Sequence, residues 1–370
     1  MTPSSAGRLP VTVVTGFLGA GKSTLLRQLL ISSGLRLAVL VNEFGEVGID
    51  GELIRSCRVC PEDSPEDSPA PVVELANGCL CCTVQDEFLP TMQLLLERAH
   101  QLDGIVVETS GLALPVPLVQ AFQWPEIRTR TRVTGVVTVV DGEALAQGSV
   151  VGDPAALEAQ RLADPSLDHL SDLESLFADQ LEAADLVLLS RADRLETPVL
   201  ESLKSRLADQ LRPGVAVLPM ERGQVPAALL FGLERPDGDH HPGHHGHGDG
   251  HDHEHDHDHD DHHHHHDHTH VAMQSAVLHW PGPLQREALE RLLPQLIQDH
   301  QLLRLKGRAW LPGKPHPLQI QAVGPRLECW FDPVTRADGD PDQGLQLVAL
   351  GLDVPAQALQ EQLQQALIQG

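Results

Sequence analysis

Residues 16–24, with the sequence GFLGAGKST, bring glycines, a lysine and hydroxyl side chains together in the pattern G-x-x-x-x-G-K-[ST]. An apolar segment with strand character precedes them and a segment with helical spacing follows, which is the context that a phosphate-binding loop requires. In such a loop backbone N–H groups surround the β-phosphate, Lys22 bridges the β- and γ-phosphates and Ser23 ligates Mg²⁺. The pattern predicts nucleotide contacts from Gly16, Gly19, Ala20, Gly21, Lys22, Ser23 and Thr24.

A second polar position follows another apolar segment, in IVVETSG at residues 105–111. Glu108 ends this apolar strand, where phosphate-loop folds hold an acid near the metal, and Gly111 suits a backbone contact with the γ-phosphate. We therefore predict Lys22 and Glu108 as catalytic residues, with Ser23 and Glu108 as the Mg²⁺ ligands.

The segment expected to contact the base of the nucleotide is DLVLLSRAD, residues 185–193. Its last four residues occupy the place of the N-K-x-D element of GTPases, with Ser190 for Asn and Arg191 for Lys. Asp193 can accept hydrogen bonds from N1–H and the exocyclic amine of guanine, a charge-assisted pair that adenine does not offer. The segment favours guanine, with contacts from Ser190, Arg191 and Asp193, and leaves adenine or a promiscuous base pocket as the alternative.

Three cysteines lie within four positions in NGCLCCTV, residues 77–84. Thr83 and Asp86 have the spacing of a capping box, so the thiols should lie beside a helix N-terminus, which lowers the pKa of a cysteine. Thiolate-rich sites suit Zn²⁺, Co²⁺ or Cu⁺ rather than Mg²⁺. We predict a transition-metal site formed by Cys79, Cys81 and Cys82, with Cys82 the less regular ligand.

Other side chains are weaker candidates for metal binding. Glu46, or alternatively Glu43, lies in the polar loop VNEFGEVGID and could add an oxygen ligand, although a solvated acid explains either residue equally well. Cys57 and Cys60 form a C-x-x-C pair that could be an accessory site. The isolated Cys329 is interpreted as a buried structural thiol.

Residues 237–270 hold seventeen of the chain's 22 histidines and ten acidic residues. A segment of this composition cannot form a core, so it is predicted to be a disordered linker with an r.m.s. span of about 30 Å. Imidazole is a good ligand for Co²⁺, Ni²⁺ and Zn²⁺. The segment is interpreted as a metal-collecting arm that feeds the thiolate site, with a solvated spacer as the alternative.

The elements that must position these groups alternate between strand and helix in the first 230 residues. Strands are predicted in PVTVVT, RLAVLVN, APVVEL, GIVVE, VTGVVTVVD and DLVLLS, and helices in KSTLLRQLLIS, DEFLPTMQLLLERAHQ and LESLFADQLEAA. Such alternation implies right-handed crossovers and a doubly wound α/β fold with a mostly parallel sheet, the P-loop NTPase class. Because ligands bind beyond the carboxyl ends of parallel strands, the phosphate loop and the cysteine loop should share an edge.

We predict three regions: a nucleotide-binding domain at residues 1–236, the linker at 237–270, and a smaller α+β domain at 271–370. In the last region helices are expected in LQREALERLLPQLIQ and PAQALQEQLQQALIQ, and strands in LLRLKGRAWL, PLQIQAVG, RLECWF and QLVALGL. It contains no recognisable catalytic constellation.

The composition excludes several classes of function. A formal charge of −26 over 370 residues argues against nucleic acid and against anionic membrane as partners. The N-terminal residues lack the apolar core of a signal peptide, and no apolar run is long enough to span a membrane. Clustered cysteines without a disulfide pattern fit a reducing compartment, so a cytoplasmic location is expected.

Four stretches, TGFLGAGKSTLL, NEFGEVGID, NGCLCCTVQDEF and ETSGLALP, together resemble the CobW family of metallochaperone GTPases, kin to the hydrogenase and urease maturation GTPases. The resemblance covers about residues 10–195, and the terminal segment resembles the family's C-terminal domain. It implies GTP and Mg²⁺ at the phosphate loop and a transition metal at the C-x-C-C cysteines.

Further stretches, PTMQLLLERA, SGLALPVPLVQAF and the histidine-rich tract, resemble the cobalamin-biosynthesis members of that family. The resemblance implies GTP-dependent delivery of Co²⁺ to a client protein, the cobaltochelatase. There are two departures from the family pattern: Ser-Arg-Ala-Asp at residues 190–193 weakens the expectation of strict GTP preference, and Val41 stands where some relatives have an acid.

Ligand type alone does not select cobalt, because divalent affinities generally favour Zn²⁺. We therefore predict that GTP and Mg²⁺ order residues 42–50 against the cysteine loop and complete the metal site, and that hydrolysis releases the ion. Two alternatives remain: a zinc- or nickel-directed metallochaperone GTPase, and a metal-storage or sensor protein in which the nucleotide is only a structural ligand.

Overall fold

The computed structural model describes residues 8–41, 72–74, 88–157, 173–231, 273–331 and 343–369. The predicted ligands Cys79, Cys81, Cys82 and Glu46, the residues Glu43, Cys57 and Cys60, and the histidine-rich segment lie outside these ranges. In the described part, no helix combines the length and the apolar character needed to cross a membrane.

Seven strands of the described N-terminal part form one sheet, in the order β3-β2-β4-β1-β5-β6-β7. Every neighbouring pair is parallel. The strands are β1 Leu9–Thr15, β2 Leu37–Val41, β3 Val72–Glu74, β4 Gly104–Glu108, β5 Thr131–Asp141, β6 Leu186–Ser190 and β7 Ala216–Met220. The predicted doubly wound α/β fold is confirmed.

Helices cover both faces of this sheet because its strands carry apolar side chains on both sides. The helices are α1 Lys22–Ser32, α2 Leu89–Glu97, α3 Pro115–Ala121, α4 Pro125–Arg128, α5 Gly142–Ala146, α6 Leu173–Ala183, α7 Thr197–Ala208 and α8 Ala227–Phe231. On one face Val14 packs in a cluster with residues of α1 and α8. On the other face Val11 and Val13 pack in a cluster with residues of α2 and α3, and Val140 packs with residues of α6 and α7.

A second sheet forms the C-terminal region, where five described strands pair antiparallel in the order β11-β10-β9-β12-β8. Its elements are β8 Gln274–Trp280, α9 Arg286–Asp299, β9 Arg304–Trp310, β10 Leu318–Val323, β11 Arg326–Phe331, β12 Gly344–Gly351 and α10 Ala356–Gln369. Apolar residues of α9 and α10 pack on the sheet in one cluster. The predicted α+β character of this region is confirmed.

The C-terminal region contacts the parallel sheet near the amino ends of its strands. Asp185, which precedes β6, is buried and accepts hydrogen bonds from the backbone N–H of Val136 and the guanidinium groups of Arg212 and Arg326. Arg304 of β9 is also buried and donates to the carbonyl oxygens of Leu229 and Leu230, both at 2.7 Å. Ion pairs and charged hydrogen bonds therefore join the two regions.

Most predicted elements match the structure within one or two residues, and KSTLLRQLLIS corresponds to α1 without a shift. Two strands were missed. The sequence of β7 contains Pro219, which lowers strand propensity. β8 alternates buried with exposed residues, as strands of an antiparallel sheet do when one face packs on the core and the other faces solvent. The helix predicted from Thr83 is described only from Leu89 onward.

Candidate nucleotide site

The carboxyl ends of the parallel strands surround one cavity of about 350 Å³. Strand register explains this convergence, since Glu108 is level with Val14 and Val41, and Ser190 is level with Asp141 and Met220. Predicted site residues that line the cavity are Gly19, Gly21, Lys22, Ser23, Thr24, Glu108, Gly111, Ser190, Arg191 and Asp193. Gly16 and Ala20 do not line it.

The phosphate loop between β1 and α1 has the backbone shape that only glycine adopts easily. Gly16, Gly19 and Gly21 have φ angles of 135°, 77° and 105°. At Gly16 a Cβ atom would also lie 2.1 Å from the carbonyl oxygen of Val139. Gly16 therefore shapes the loop from beneath, although it is not part of the cavity wall.

Lys22 is the first residue of α1 and is buried at 6% exposure. Its Nζ donates to the carbonyl oxygens of Gly16 at 2.8 Å and Phe17 at 3.1 Å, and it lies 4.0 Å from Glu108 Oε1. A buried ammonium needs such acceptors, because burial without hydrogen bonds carries a large desolvation cost. The loop thus holds a positive charge against the cavity wall.

Ser23 and Glu108 bring a hydroxyl and a carboxylate oxygen to the same place. Ser23 Oγ lies 3.4 Å from Glu108 Oε1, and Glu108 is 5% exposed at the end of β4. Mg²⁺ prefers hard oxygen ligands and commonly takes one or two from protein, with phosphate and water supplying the rest. The donor set here fits that requirement.

The segment after β4 is fixed by backbone and side-chain contacts. Thr109 N–H donates to the carbonyl of Val14, and Thr109 Oγ1 donates to Thr15 Oγ1 at 2.9 Å. A Cβ atom at Gly111 would lie 2.6 Å from the backbone nitrogen of Leu18, so glycine lets this segment approach the phosphate loop. The buried Gln180 of α6 donates to the carbonyl of Gly111 at 3.3 Å.

At the other end of the cavity the segment 190–193 presents a different set of groups. Ser190 is buried, and its Oγ has no hydrogen-bond partner among the described residues. Arg191 has a left-handed backbone with φ 54°, and its guanidinium donates to the carboxylate of Asp141 and to the carbonyl of Gly19 at 3.1 Å. Arg191 therefore ties this segment to β5 and to the phosphate loop. Asp193 is exposed and lines the cavity.

Sequence reasoning missed seven residues of the cavity wall. They are Leu18, Thr109, Ser110, Arg194, Met220, Arg222 and Gly223. Met220 is the last residue of β7, the strand that was missed because of its proline, and Arg222 and Gly223 follow it. Arg222 and Gly223 have φ angles of 48° and 78°, and a Cβ atom at Gly223 would lie 2.6 Å from the carbonyl of Thr24. The Arg-Gly pair after an apolar segment was the available signal.

Known protein families match both regions of the chain. A family model described as CobW/HypB/UreG, nucleotide-binding domain, matches residues 10–219, and a second, the cobalamin synthesis protein CobW C-terminal domain, matches residues 273–367. The chain belongs to the CobW family. Membership confirms the resemblance read from the sequence and the prediction of a P-loop GTPase of metallochaperone type.

Curated members of the CobW family resemble the chain over nearly its whole length. A protein of Pseudomonas aeruginosa named zinc chaperone CobW is 46% identical, with 97% of this chain and 92% of the relative covered. A protein of Sinorhizobium with the same name is 40% identical, with 94% of each covered. Among solved structures, the Zn(II)-bound YjiA GTPase from E. coli matches at 23% identity and a TM-score of 0.41, covering 97% of this chain and 99% of that one.

Proposed function

We propose that the protein is a zinc-directed metallochaperone that couples GTP binding and hydrolysis to the transfer of Zn²⁺ to a client protein. The observation that carries this proposal is the single cavity in which the phosphate loop, Glu108 and the segment 190–193 meet. This cavity has groups for the phosphates at one end and a carboxylate suited to guanine at the other.

At the phosphate end each side chain has a distinct role. Lys22, now hydrogen-bonded to loop carbonyls, can turn to the β- and γ-phosphates and neutralise charge as the terminal bond breaks. Ser23 and Glu108 would hold Mg²⁺, which supplies positive charge to the same phosphate oxygens when bound. Gly111 N–H can donate to the γ-phosphate, because the missing Cβ lets the segment lie against Leu18.

At the base end Asp193 carries the preference for guanine. Its carboxylate can accept from N1–H and from the exocyclic amine, and adenine lacks that pair of donors. Arg191 is engaged with Asp141 and Gly19, so it fixes the segment rather than reading the base. Ser190 Oγ, buried against Gly21, is available to the nucleotide.

The metal site of this proposal consists of Cys79, Cys81 and Cys82, with Glu46 as an oxygen ligand. Strand register supports a shared edge, since Val41 at the end of β2 is level with both Glu74 and Glu108. β2 and β3 therefore end level with Glu108, which lines the nucleotide cavity, and the proposed ligands follow these two strands in sequence. A γ-phosphate that orders residues 42–50 can in this way complete the metal site.

Zinc is the proposed cargo because two lines of argument favour it over cobalt. Thiolate sites bind Zn²⁺ more tightly than Co²⁺ in the general order of divalent affinities, and the two relatives quoted above at 46% and 40% identity are named zinc chaperones. Delivery of Co²⁺ to a cobaltochelatase remains a prediction from the resemblance, and the zinc alternative stated beside it fits better.

Metal titration of the full-length protein tests the coupling. Zn²⁺ affinity is measured against a competing chelator, once with a non-hydrolysable GTP analogue and Mg²⁺ and once with GDP and Mg²⁺. We expect tighter binding with the analogue, by about tenfold or more, and by linkage an equal gain in nucleotide affinity when Zn²⁺ is present. Equal Zn²⁺ affinities in the two nucleotide states would contradict the proposal.

The ligands are tested by replacing Cys79, Cys81 and Cys82 together with serine, with Cys329→Ser as the matched control. The triple variant should lose the tight Zn²⁺ site, whereas the control should retain it because Cys329 lies in β11 of the C-terminal region. Running the same titrations with Co²⁺ decides the cargo. Tighter Co²⁺ than Zn²⁺ binding in the analogue-bound protein would restore the cobalt prediction.

We further propose that residues 237–270 act as a metal buffer. Their 17 histidines can bind several divalent ions weakly, and the acidic residues raise the local cation concentration. Deletion of this segment should lower the number of Zn²⁺ ions bound per chain and leave GTP hydrolysis intact. An unchanged number of Zn²⁺ ions per chain after the deletion would contradict the buffer proposal and favour the spacer alternative.

A further inference from the structure

A second cavity, of about 340 Å³, lies between the parallel sheet and the C-terminal region. It is at the opposite edge from the nucleotide, where Arg8 precedes β1 and Arg132 lies at the start of β5. β5 has 11 residues, so at a rise of about 3.3 Å per residue its two ends are some 30 Å apart. The two cavities are therefore separate sites.

Four arginines line this cavity, although the chain as a whole has a formal charge of −26. They are Arg8, Arg128, Arg132 and Arg286. The carboxylates on its wall are Glu290 and Glu328, and Glu290 is already paired with Arg286 at 2.7 Å. The remaining three arginines form no ion pair within the part of the chain that the structure describes.

Arg132 is the central group of the cavity. It is 8% exposed, its guanidinium lies 4.3 Å from the ring centre of Trp330, and one of its N–H groups donates to Gln321 Oε1. Its Nε is buried and has no hydrogen-bond partner among the described residues. A buried guanidinium with an unused donor carries a desolvation cost that an oxyanion would offset.

The charges around Arg132 leave it cationic and short of a counter-ion. Burial is the main reason why the pKa of Arg132 falls to about 10, with Glu328 opposing the fall and Arg8 adding to it. At neutral pH the group remains protonated. Burial raises the pKa of Glu328, and Arg132, Arg8 and Arg326 oppose that rise. In the described part of the chain Glu328 forms no ion pair with Arg132, whose one charged hydrogen bond goes to the neutral side chain of Gln321.

We propose that this cavity binds a small polyvalent oxyanion, through phosphate or carboxylate groups held by Arg132, Arg128 and Arg8. Guanidinium groups suit such ligands because their planar N–H pairs match two oxygens at once. Arg8 lies 5.4 Å from the ring centre of Trp330, so this ring holds two of the three arginines. The cavity volume accommodates a phosphate ester or a dicarboxylate.

Because the wall includes residues of β5 and β11, a bound anion would lie at the boundary between the two regions of the fold. Arg132 and Arg128 belong to the parallel-sheet region, whereas Trp330 and Arg286 belong to the C-terminal region. Binding to the folded state alone raises the free energy of unfolding. The anion should therefore stabilise the full-length protein against heat as well as bind to it.

Calorimetric titration of the full-length protein with inorganic phosphate, and separately with succinate, tests the proposal. The protein is first saturated with a non-hydrolysable GTP analogue and Mg²⁺, so that the β- and γ-phosphate positions of the nucleotide cavity are both filled. We expect one anion per chain for at least one of the two probes, together with a higher melting temperature. Phosphate alone would identify phosphoryl ligands, and succinate alone would identify carboxylates.

Three variants distinguish a specific anion site from non-specific attraction to positive charge. Arg132→Gln should weaken anion binding by about tenfold or more, the scale expected for a charged hydrogen bond. Arg128→Gln, at an exposed position that tolerates substitution, should weaken it several-fold, and the exposed Arg206→Gln on α7 should leave it unchanged. If Arg132→Gln does not fold, the comparison of Arg128→Gln with Arg206→Gln decides. Absence of anion binding in the unmodified protein, or equal affinity in all variants, would overturn the proposal.

Discussion

Two buried carboxylates, Glu108 and Asp185, lie at opposite edges of the same parallel sheet. Asp185, before β6, accepts from two arginines and a backbone N–H and is joined across the boundary between the two regions. Glu108, at the end of β4, lies 3.4 Å from Ser23 Oγ and 4.0 Å from Lys22 Nζ, distances longer than an ordinary charged hydrogen bond.

The difference shows that the two ends of the parallel strands have different roles. The amino ends form the amino edge, where charges hold the fold together, and the carboxyl ends form the carboxyl edge, where charges face the nucleotide cavity. At the amino edge, the charge of Asp185 is matched by fixed partners, so it contributes to stability only as part of a complete network. At the carboxyl edge, Glu108 and Lys22 face a cavity, and their geometry can change when phosphate arrives. Substitutions at the two edges should therefore affect different measurements.

Lys22→Ala should give the largest effect, on hydrolysis. Removing a charge that stabilises developing negative charge on phosphate lowers kcat by about 10²–10³-fold in comparable sites. GTP turnover by the full-length protein measures this, with Arg27→Ala on the exposed side of α1 as the matched control. Turnover of the Lys22 variant at the wild-type rate would favour the alternative in which nucleotide is only a structural ligand.

Asp185→Ala should mainly lower stability. The substitution leaves Arg212 and Arg326 without their shared carboxylate and Val136 N–H without its acceptor. Loss of one partner from a buried network costs about 3 kcal/mol, and both arginines are partly exposed, so that figure is the upper end. Chemical denaturation measures the free energy of unfolding.

The kinetics of Asp185→Ala test whether the two edges of the sheet act independently. GTP turnover per folded molecule should stay near the wild-type value, because Asp185 is at the edge away from the nucleotide cavity. A large loss of turnover without loss of stability would show that the two edges are not separable. Arg326→Gln, which removes only one partner of Asp185, should reduce stability less.

Cys329 of β11 lines the cavity at the amino edge, so the pH dependence of its alkylation tests the packing there. Burial, and then the charge of Glu290, raises the pKa of its thiol to about 11 from an ordinary value of 9.0. Only the thiolate is alkylated, so at pH 8 the rate in the folded protein should be about hundredfold below that in urea. Mass spectrometry of the peptide that contains Cys329 measures the rate.

The raised pKa of Cys329 also has a consequence for stability. Between about pH 9 and pH 11 the unfolded chain loses a proton that the folded chain keeps, so the free energy of unfolding should decrease as the pH rises through this range. Cys329→Ser should reduce that decrease. The structure shows Cys329 half-buried, where the sequence interpretation expected full burial. Equal alkylation rates in folded and unfolded protein would contradict even this partial burial.

The fold could be predicted from the sequence because its buried strands are continuous apolar runs and its helices carry apolar residues at helical spacing. The apolar segments of β1, β4 and β6 are buried on both faces and cannot be confused with loops. The strand β7 was missed because Pro219 interrupts it, and with it the cavity residues Met220, Arg222 and Gly223.

Prediction of the site was limited by contacts that depend on three-dimensional register. The motif spacing indicated Lys22, Ser23 and Glu108, since those roles are tied to local order along the chain. No local pattern indicates that Arg191 pairs with Asp141, 50 positions away, or that Arg132 meets Trp330 across the boundary between regions. Such pairs arise only when strands are aligned in the sheet.

Asp193→Asn should give the smallest effect, on GTP affinity. It tests the end of the nucleotide cavity that is expected to bind the base. An amide offers one acceptor where the carboxylate offers two, so GTP affinity should fall by about tenfold, the scale of one charged hydrogen bond. Because the amide also carries donors, xanthosine triphosphate, with a carbonyl in place of the guanine amine, should bind the variant more tightly than the wild type. Competition against a fluorescent nucleotide measures both affinities, and Glu196→Gln, at an exposed position nearby, is the control. Unchanged GTP affinity would mean that Asp193 does not read the base, and the preference for guanine would then have to come from Ser190 or from the residues after β7.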